Sequence, residues 1–284
     1  MGSPIYLRPR AEYDATSNPL EMRKTRRKIK RRKPLFKNRF FLFGFLFLVL
    51  VGSLGYFLFF SPMFQVQKVV ANGSARGEEM VSRVQEFVSS RVLFLETKSI
   101  FLSQRKKMEQ FLLLQFPEVE YARVFRDFPA TLALRIIERR EVAQWCARGS
   151  CFALDNNGVI FKSDESGTLM KISSANKPQD VALGERVIEA SLLAKLLEFQ
   201  KRVEQIDPLK QAKAKVLSSD IVSNARVSFS LSEGWKIFFH PEESLDWQVT
   251  KLRLVLEKKI SAEKRGALEY VDVRFGNQAY LKYR

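Results

Sequence analysis

The run FFLFGFLFLVLVGSLGYFLFF, Phe40 to Phe60, holds 21 residues without a charge or a proline. As a helix rising about 1.5 Å per residue it is roughly 30 Å long, the thickness of a bilayer's hydrocarbon core. It reads as a membrane span, and that reading divides the chain. A cleaved signal peptide has a shorter apolar stretch nearer the N-terminus and a small-residue cleavage site. Here 39 residues precede the run and Ser61-Pro62 follows it. The span is expected to stay as an anchor and, with no second stretch of this kind, to cross once.

Before it lies RKTRRKIKRRKPLFKNR, Arg23 to Arg39, with eleven Lys or Arg in seventeen residues and no acid. Alone, such a run fits a nucleic acid, a nuclear address or an anionic membrane. Beside a span it has a more specific meaning. Arg26, Arg27, Lys28, Arg31, Arg32 and Lys33 hold their flank in the cytoplasm, while the far flank, Ser61 to Gln67, carries no charge. The expected topology is N-terminus in, C-terminus out. A second grip of the same run on anionic lipid or nucleic acid is compatible with this and not required by it. Of the formal charge of +17, residues 1 to 39 carry +10, and the other 245 residues hold 35 basic and 28 acidic groups. A general nucleic-acid footprint over the folded part is therefore not indicated. Residues 1 to 22, polar and without an apolar period, read as a disordered tail.

Outside the membrane, Phe64, Val66 and Val69 form a short strand pattern closed by the turn signal Asn72-Gly73. Met80, Val81, Val84, Phe87 and Val88 then recur at helical spacing over Glu78 to Arg91. A second helix is expected over Ser99 to Phe116, with Ile100, Met108, Phe111 and Leu112 inward and Pro117 ending it. VEYARVFRDFP and ATLALRIIER read as two strands, with Val119, Tyr121, Leu132, Leu134 and Ile136 at alternating positions. Beyond residue 141, strands are expected at Cys151 to Leu154, Val159 to Lys162, Ala214 to Leu217, Ala225 to Leu231 and Trp235 to Phe239. A helix fits Glu185 to Val203. Another, opened by Ser244, carries Leu245, Val249, Leu252, Leu256 and Ile260 on one face, with Gly266 as its stop. The expected class is α+β, with helices shielding one side of a sheet.

The order strand, helix, helix, strand, strand resembles the POTRA domain, as do Phe116-Pro117-x-Val119, Phe128-Pro129 and Ile137-Glu138 running on to Ala143-x-Trp145. Directly after a single span, these look like the start of an FtsQ/DivIB cell-division protein. Asp155-x-x-Gly158-x-x-Phe161 resembles the opening hairpin of that family's second domain. Gly234-Trp235-Lys236-Ile237 resembles its central strand, and Val271-Asp272-Val273-Arg274-Phe275 its terminal signature. MKISSANKPQD, Met170 to Asp180, stands where the family often has Leu-Pro-x-x-x-Gly. The resemblance implies a tail at 1–39, a span at 40–60, a POTRA-like domain at 64–140 and a β domain with a C-terminal edge strand at 141–284.

Residues for catalysis are sparse. His240 is the sole histidine; with Pro241, Glu242 and Glu243 it reads as a solvent-facing turn, the alternative being a weak surface metal site. Phosphate-loop, dinucleotide and nucleophile-elbow motifs are absent from the sequence, and no cofactor, metal or enzymatic activity is expected. Cys146 and Cys151 frame Ala147-Arg148-Gly149-Ser150. Four intervening residues do not suit a thioredoxin-type pair, and further zinc ligands are not nearby. Outside the cytoplasm the leading reading is a structural disulfide closing a hairpin, worth about 2 kcal/mol from loop entropy. Two buried thiols are the alternative.

In Leu268 to Arg284, Val271, Val273 and Phe275 alternate with polar residues, Gly276-Asn277 suits a two-residue hairpin turn, and Ala279, Leu281 and Tyr283 continue the alternation. A last strand can offer its unpaired edge to another chain, or simply complete the sheet. The resemblance favours the first, because in FtsQ/DivIB proteins the terminal strand receives FtsB by strand addition. Carried over by position, Phe275, Asn277, Gln278 and Tyr283 fall where the family contacts that partner, and Tyr280 lies among them. The expected partners are FtsB/FtsL-like single-span proteins at the septum of a bacterial inner membrane. A POTRA-containing transport or assembly factor, an anchored envelope hydrolase and a nucleic-acid binder acting through the tail are the alternatives.

Overall fold

The computed structural model describes residues 39–92, 95–174 and 180–284. The basic residues assigned to topology, Arg26, Arg27, Lys28, Arg31, Arg32 and Lys33, lie outside them, as does most of the tail. The chain forms two units, residues 1–54 and 55–284.

The described part of the first unit is helical. Helix α1 (Arg39–Phe60) has 22 residues, none of them buried. By length and composition it is apolar enough to cross a membrane, and among the described residues no other helix is. Its final residues, from Gly55, belong to the second unit. There the orphan carbonyls of the last turn find side-chain donors. Thr97 Oγ1 donates to the Phe59 carbonyl at 2.5 Å, Gln65 Nε2 to the same oxygen at 3.2 Å, and Ser99 Oγ to Leu58 at 3.3 Å.

The second unit opens with β1 (Lys68–Asn72), α2 (Gly77–Gln85), β2 (Ser90–Val92), β3 (Leu95–Thr97), α3 (Arg105–Gln115), β4 (Val119–Asp127) and β5 (Thr131–Glu138). The first sheet has the order β1-β5-β4, with β1 parallel and β4 antiparallel to β5. Met80, Val84, Met108 and Leu112 from the helices meet Val119, Ala122, Val124, Leu132, Leu134 and Ile136 from the strands in one core. The Asn72-Gly73 turn needs its glycine: φ is +98°, and a Cβ there would overlap the Ile136 carbonyl oxygen.

Both helices are shorter than their periodicity suggests. After Gln85 the chain tightens, Phe87 and Val88 donating to the carbonyls three residues back, and Ser90 enters the small β2-β3 hairpin. Residues 99–103 form a turn closed by Leu102 N–H on the Ser99 carbonyl, yet Ile100 still reaches the core. Tyr121 is not inward as its alternation with Val119 suggests. A register shift between those two residues reverses the phase, so Ala122 and Val124 are buried while Tyr121 and Phe125 face outward. On that outer face the Arg123 guanidinium lies 5.4 Å from the Tyr121 ring and Arg135 lies 5.5 Å from Phe125.

Four residues lead from β5 to β6 (Ala143–Ala147), the first strand of a second sheet. Within this connection Arg139 donates Nε to the Pro117 carbonyl at 3.0 Å and pairs through Nη1 with Asp155. Asp155 is buried, and its other oxygen accepts the N–H groups of Asn157 and Val159 at 2.9 and 2.8 Å. Arg139 thus ties the two sheets together.

The second sheet adds β7 (Ser150–Leu154), β8 (Ile160–Ser163), β9 (Lys171–Ser174), β10 (Val216–Ser223), β11 (Arg226–Leu231), β12 (Lys236–Phe239), β13 (Leu268–Asp272) and β14 (Tyr280–Tyr283). Its order is β14-β13-β12-β11-β10-β9-β6-β7-β8, nine strands of mixed direction. Helices α4 (Ala190–Glu204), α5 (Asp207–Gln211), α6 (Leu245–Lys258) and α7 (Ala262–Arg265) contribute the rest of the regular structure. The in-register row Ser219, Phe229, Ile237 and Val271 is buried, in a core to which α4 adds Leu193, Leu196, Phe199 and Val203, and α6 adds Leu252 and Leu256. Phe199 stacks on Phe239 at 4.0 Å, with Phe229 5.0 Å from the latter. Helix α4 begins at Ala190 rather than Glu185, because Val187 donates to the Gly158 carbonyl in an extended segment. Ser244 caps α6 as expected, accepting from Trp247 N–H at 3.3 Å. That helix stops at Lys258, and Gly266 closes α7 instead. The protein is mixed α+β.

Candidate partner-binding edge

Strand β14 is the last strand of the chain and lies at one end of the nine-stranded sheet, paired antiparallel to β13 alone. Two bonds fix which of its backbone groups are spoken for. Val273 N–H donates to the Phe238 carbonyl, so Val273 and, by alternation, Val271 face β12, which turns Tyr270 and Asp272 toward β14. Their partners are Lys282 and Tyr280. Arg284 N–H donates to Ala267, in the same phase. The backbone N–H and C=O of Leu281 and Tyr283 therefore point away from β13, along the open edge.

The connection between the two strands is not the two-residue hairpin that Gly276-Asn277 suggests. β13 ends at Asp272 and β14 starts at Tyr280, leaving seven residues between them. The cause is a side chain distant in sequence. Lys251, buried on α6, directs its ammonium to the carbonyls of Val273 at 2.5 Å, Gly276 at 2.8 Å and Phe275 at 3.4 Å. Trp247 Nε1 adds a bond to Gly276 at 3.0 Å. These donors hold the loop against α6 and pull it out of the ladder. Burial lowers the Lys251 pKa, while the carboxylates of Glu243 and Asp272 oppose that shift.

The loop's other side is set by an ion pair. Arg274 forks onto Asp272, with Nη2 at 2.7 Å and Nε at 3.0 Å, and this carboxylate raises the Arg274 pKa. The same guanidinium lies 4.8 Å from the Phe275 ring. Phe275 packs edge-on against Tyr280 at 5.6 Å, and the Tyr280 hydroxyl donates to Gln278 Oε1 at 2.6 Å. Phe275, Gln278 and Tyr280 thus form one exposed group, the two rings being 49% and 51% accessible. Asn277 sits at the exposed loop tip. Tyr283, 42% exposed, stands three residues along the strand and, by alternation, on the opposite face from Tyr280. The five nominated residues therefore line an edge rather than a pocket. Sequence reading missed Lys251 and Trp247, whose contacts with this loop span 22 to 29 residues.

Cys146 and Cys151 face each other across β6 and β7 and are joined by a disulfide, with Cα atoms 4.2 Å apart. The turn between them places Arg148 and Gly149 at φ of 49° and 85°, the left-handed pair of a type I′ hairpin. His240 is half-buried; its Nδ1 accepts from Glu242 N–H, and Gln248 pins its backbone through two 2.8 Å bonds. Among the described residues no three His, Cys, Asp or Glu side chains gather as a metal site. No family model matches this chain, and no curated protein matches it significantly.

Proposed function

We infer that the protein is a single-span cell-division scaffold of the FtsQ/DivIB type, anchored by α1 in a bacterial inner membrane with its C-terminal part outside. It binds rather than catalyses. Its partners are FtsB/FtsL-like single-span proteins at the septum, and the complex regulates peptidoglycan synthesis there. Two helices and the β1-β5-β4 sheet support the POTRA likeness, although the small β2-β3 hairpin interrupts the expected helix-helix succession, and the apolar length of α1 supports the anchor.

The observation that carries the reading is the open edge of β14 beside exposed aromatic side chains. Backbone pairing at Leu281 and Tyr283 supplies affinity, and the group of Phe275, Gln278 and Tyr280 supplies selection. The test is co-purification of the full chain with FtsB/FtsL-like proteins, comparing wild type with Phe275→Glu and Tyr280→Asp. Both side chains are half exposed, so the variants are expected to fold and to lose the partner. Undiminished capture by folded variants refutes the assignment. Truncation after Gly276 is a poorer test, because removing β14 leaves β13 as a new open edge.

A further inference from the structure

Next to the end of α1 the second unit exposes apolar side chains beside unpaired cations. Phe57, in the last turn of α1, packs edge-on against Phe64 at 5.8 Å; Phe64 meets Phe101 at 5.4 Å, and Phe101 meets Phe128 at 5.4 Å. This row of rings ends in solvent: Phe128 is 55% exposed, and Met63, adjoining Phe64, is 57% exposed. Neither contributes to the core behind them. Two large apolar side chains are thus held outward in the same unit as the last turn of α1.

Cations adjoin the same row. Arg126 donates to the Phe101 carbonyl at 2.7 Å and to the Ser103 hydroxyl at 3.3 Å, carbonyl and hydroxyl partners that leave its charge uncompensated. Burial and the neighbouring Arg105 guanidinium both lower its pKa. Arg105, Lys106 and Lys107 form the first turn of α3, which contains no acid, and all three are exposed. Among the described residues none of these four cations makes an ion pair. Positive charge at a helix N-terminus opposes the macrodipole, so this placement is costly in isolation. An anionic surface reverses that cost.

We propose that this face lies on the outer leaflet, Met63 and Phe128 entering the interface while Arg105, Lys106, Lys107 and Arg126 engage the phosphates of anionic phospholipids. The proposal rests on the reading of α1 as a membrane span. Charge complementarity and the continuity of the ring row with the last turn of α1 favour a bilayer over a protein partner.

The test is hydrogen exchange on the full chain in lipid nanodiscs. With about 30% phosphatidylglycerol in phosphatidylcholine, amides of residues 101–107 and 126–130 are expected to exchange at least about threefold slower than in phosphatidylcholine alone. High salt should erase the difference. So should the combined change Arg105→Glu, Lys106→Glu and Lys107→Glu, which favours the helix N-terminus and leaves the core untouched. Equal exchange of the wild type in the two discs overturns the proposal while leaving the anchor intact. Protection by inorganic phosphate in neutral discs also overturns it, in favour of a free-anion site. A chain that does not enter discs at all removes the span reading and this proposal together.

Discussion

Replacing Tyr283 with proline isolates the backbone contribution to partner capture. Its N–H points along the open edge and has no partner within the sheet, so proline removes a donor that only an incoming strand uses. The net loss of one hydrogen bond is about 1 kcal/mol, and the partner carbonyl left buried and unsatisfied adds about 1–2 kcal/mol. The total, about 2–3 kcal/mol, corresponds to a roughly 30- to 150-fold rise in Kd. The fold loses none of its own bonds, so the melting temperature of Tyr283→Pro should match that of Tyr283→Ala. Lys282→Pro is the counter-case: its N–H faces Tyr270, and its loss should lower the melting temperature. The assay is titration of the full chain against an FtsB-like segment, with thermal melts run alongside. If Tyr283→Ala weakens binding as much as Tyr283→Pro, the side chain carries the affinity and the strand-addition mechanism is wrong. If Tyr283→Pro binds like wild type, β14 is not the docking edge.

Other perturbations address the scaffold. Lys251→Met leaves the Val273 and Gly276 carbonyls without their ammonium; a loss of about 2–3 kcal/mol is expected in denaturant titrations, with faster exchange across residues 273–279. Cys146→Ser with Cys151→Ser should cost about 2 kcal/mol, seen as a fall of roughly 4–8 °C in melting temperature. Arg139→Met uncovers the buried Asp155 carboxylate and should destabilise by about 3 kcal/mol, whereas a loss under about 0.5 kcal/mol contradicts its role between the sheets. The Asp164 pKa is lowered by the Gln144 side chain and by Ser166. A depressed carboxylate stabilises above its unfolded value, about 3.9, and loses that contribution as pH falls through the folded one. Asp164→Asn should flatten this acid limb in urea melts below about pH 4.

Side-chain periodicity made the helix faces of α4 and α6 legible, because Leu193, Leu196, Leu252 and Leu256 recur at the spacing that buries one stripe. The β5 strand was equally plain through Leu132, Leu134 and Ile136. What escaped the pattern has non-local causes. The bulge between Val119 and Tyr121 reverses an alternation that looks regular in the chain. Strand β9, with only Ile172 buried to mark it, is held by parallel pairing to β6 and β10 on either side. Ser173 and Ser174 give no strand signal of their own, although Ser173 meets Asp220 on β10. At the candidate site the alternation around Val271 and Leu281 was readable, while the loop's true length depends on Lys251, a residue no local window includes.

The short connection at Arg139 also has a mechanical meaning. An interdomain linker usually works as a joint, absorbing displacement by rotation about a few backbone bonds. Here the Arg139–Asp155 pair and the Asn157–Glu120 bond at 3.0 Å brace that joint from two sides. A torque applied to the second sheet is therefore carried into the first instead of dissipating between them. Turning one sheet against the other has to break the Arg139–Asp155 pair and the Asn157–Glu120 bond together, so four connecting residues behave as a stiff coupling and not as a hinge.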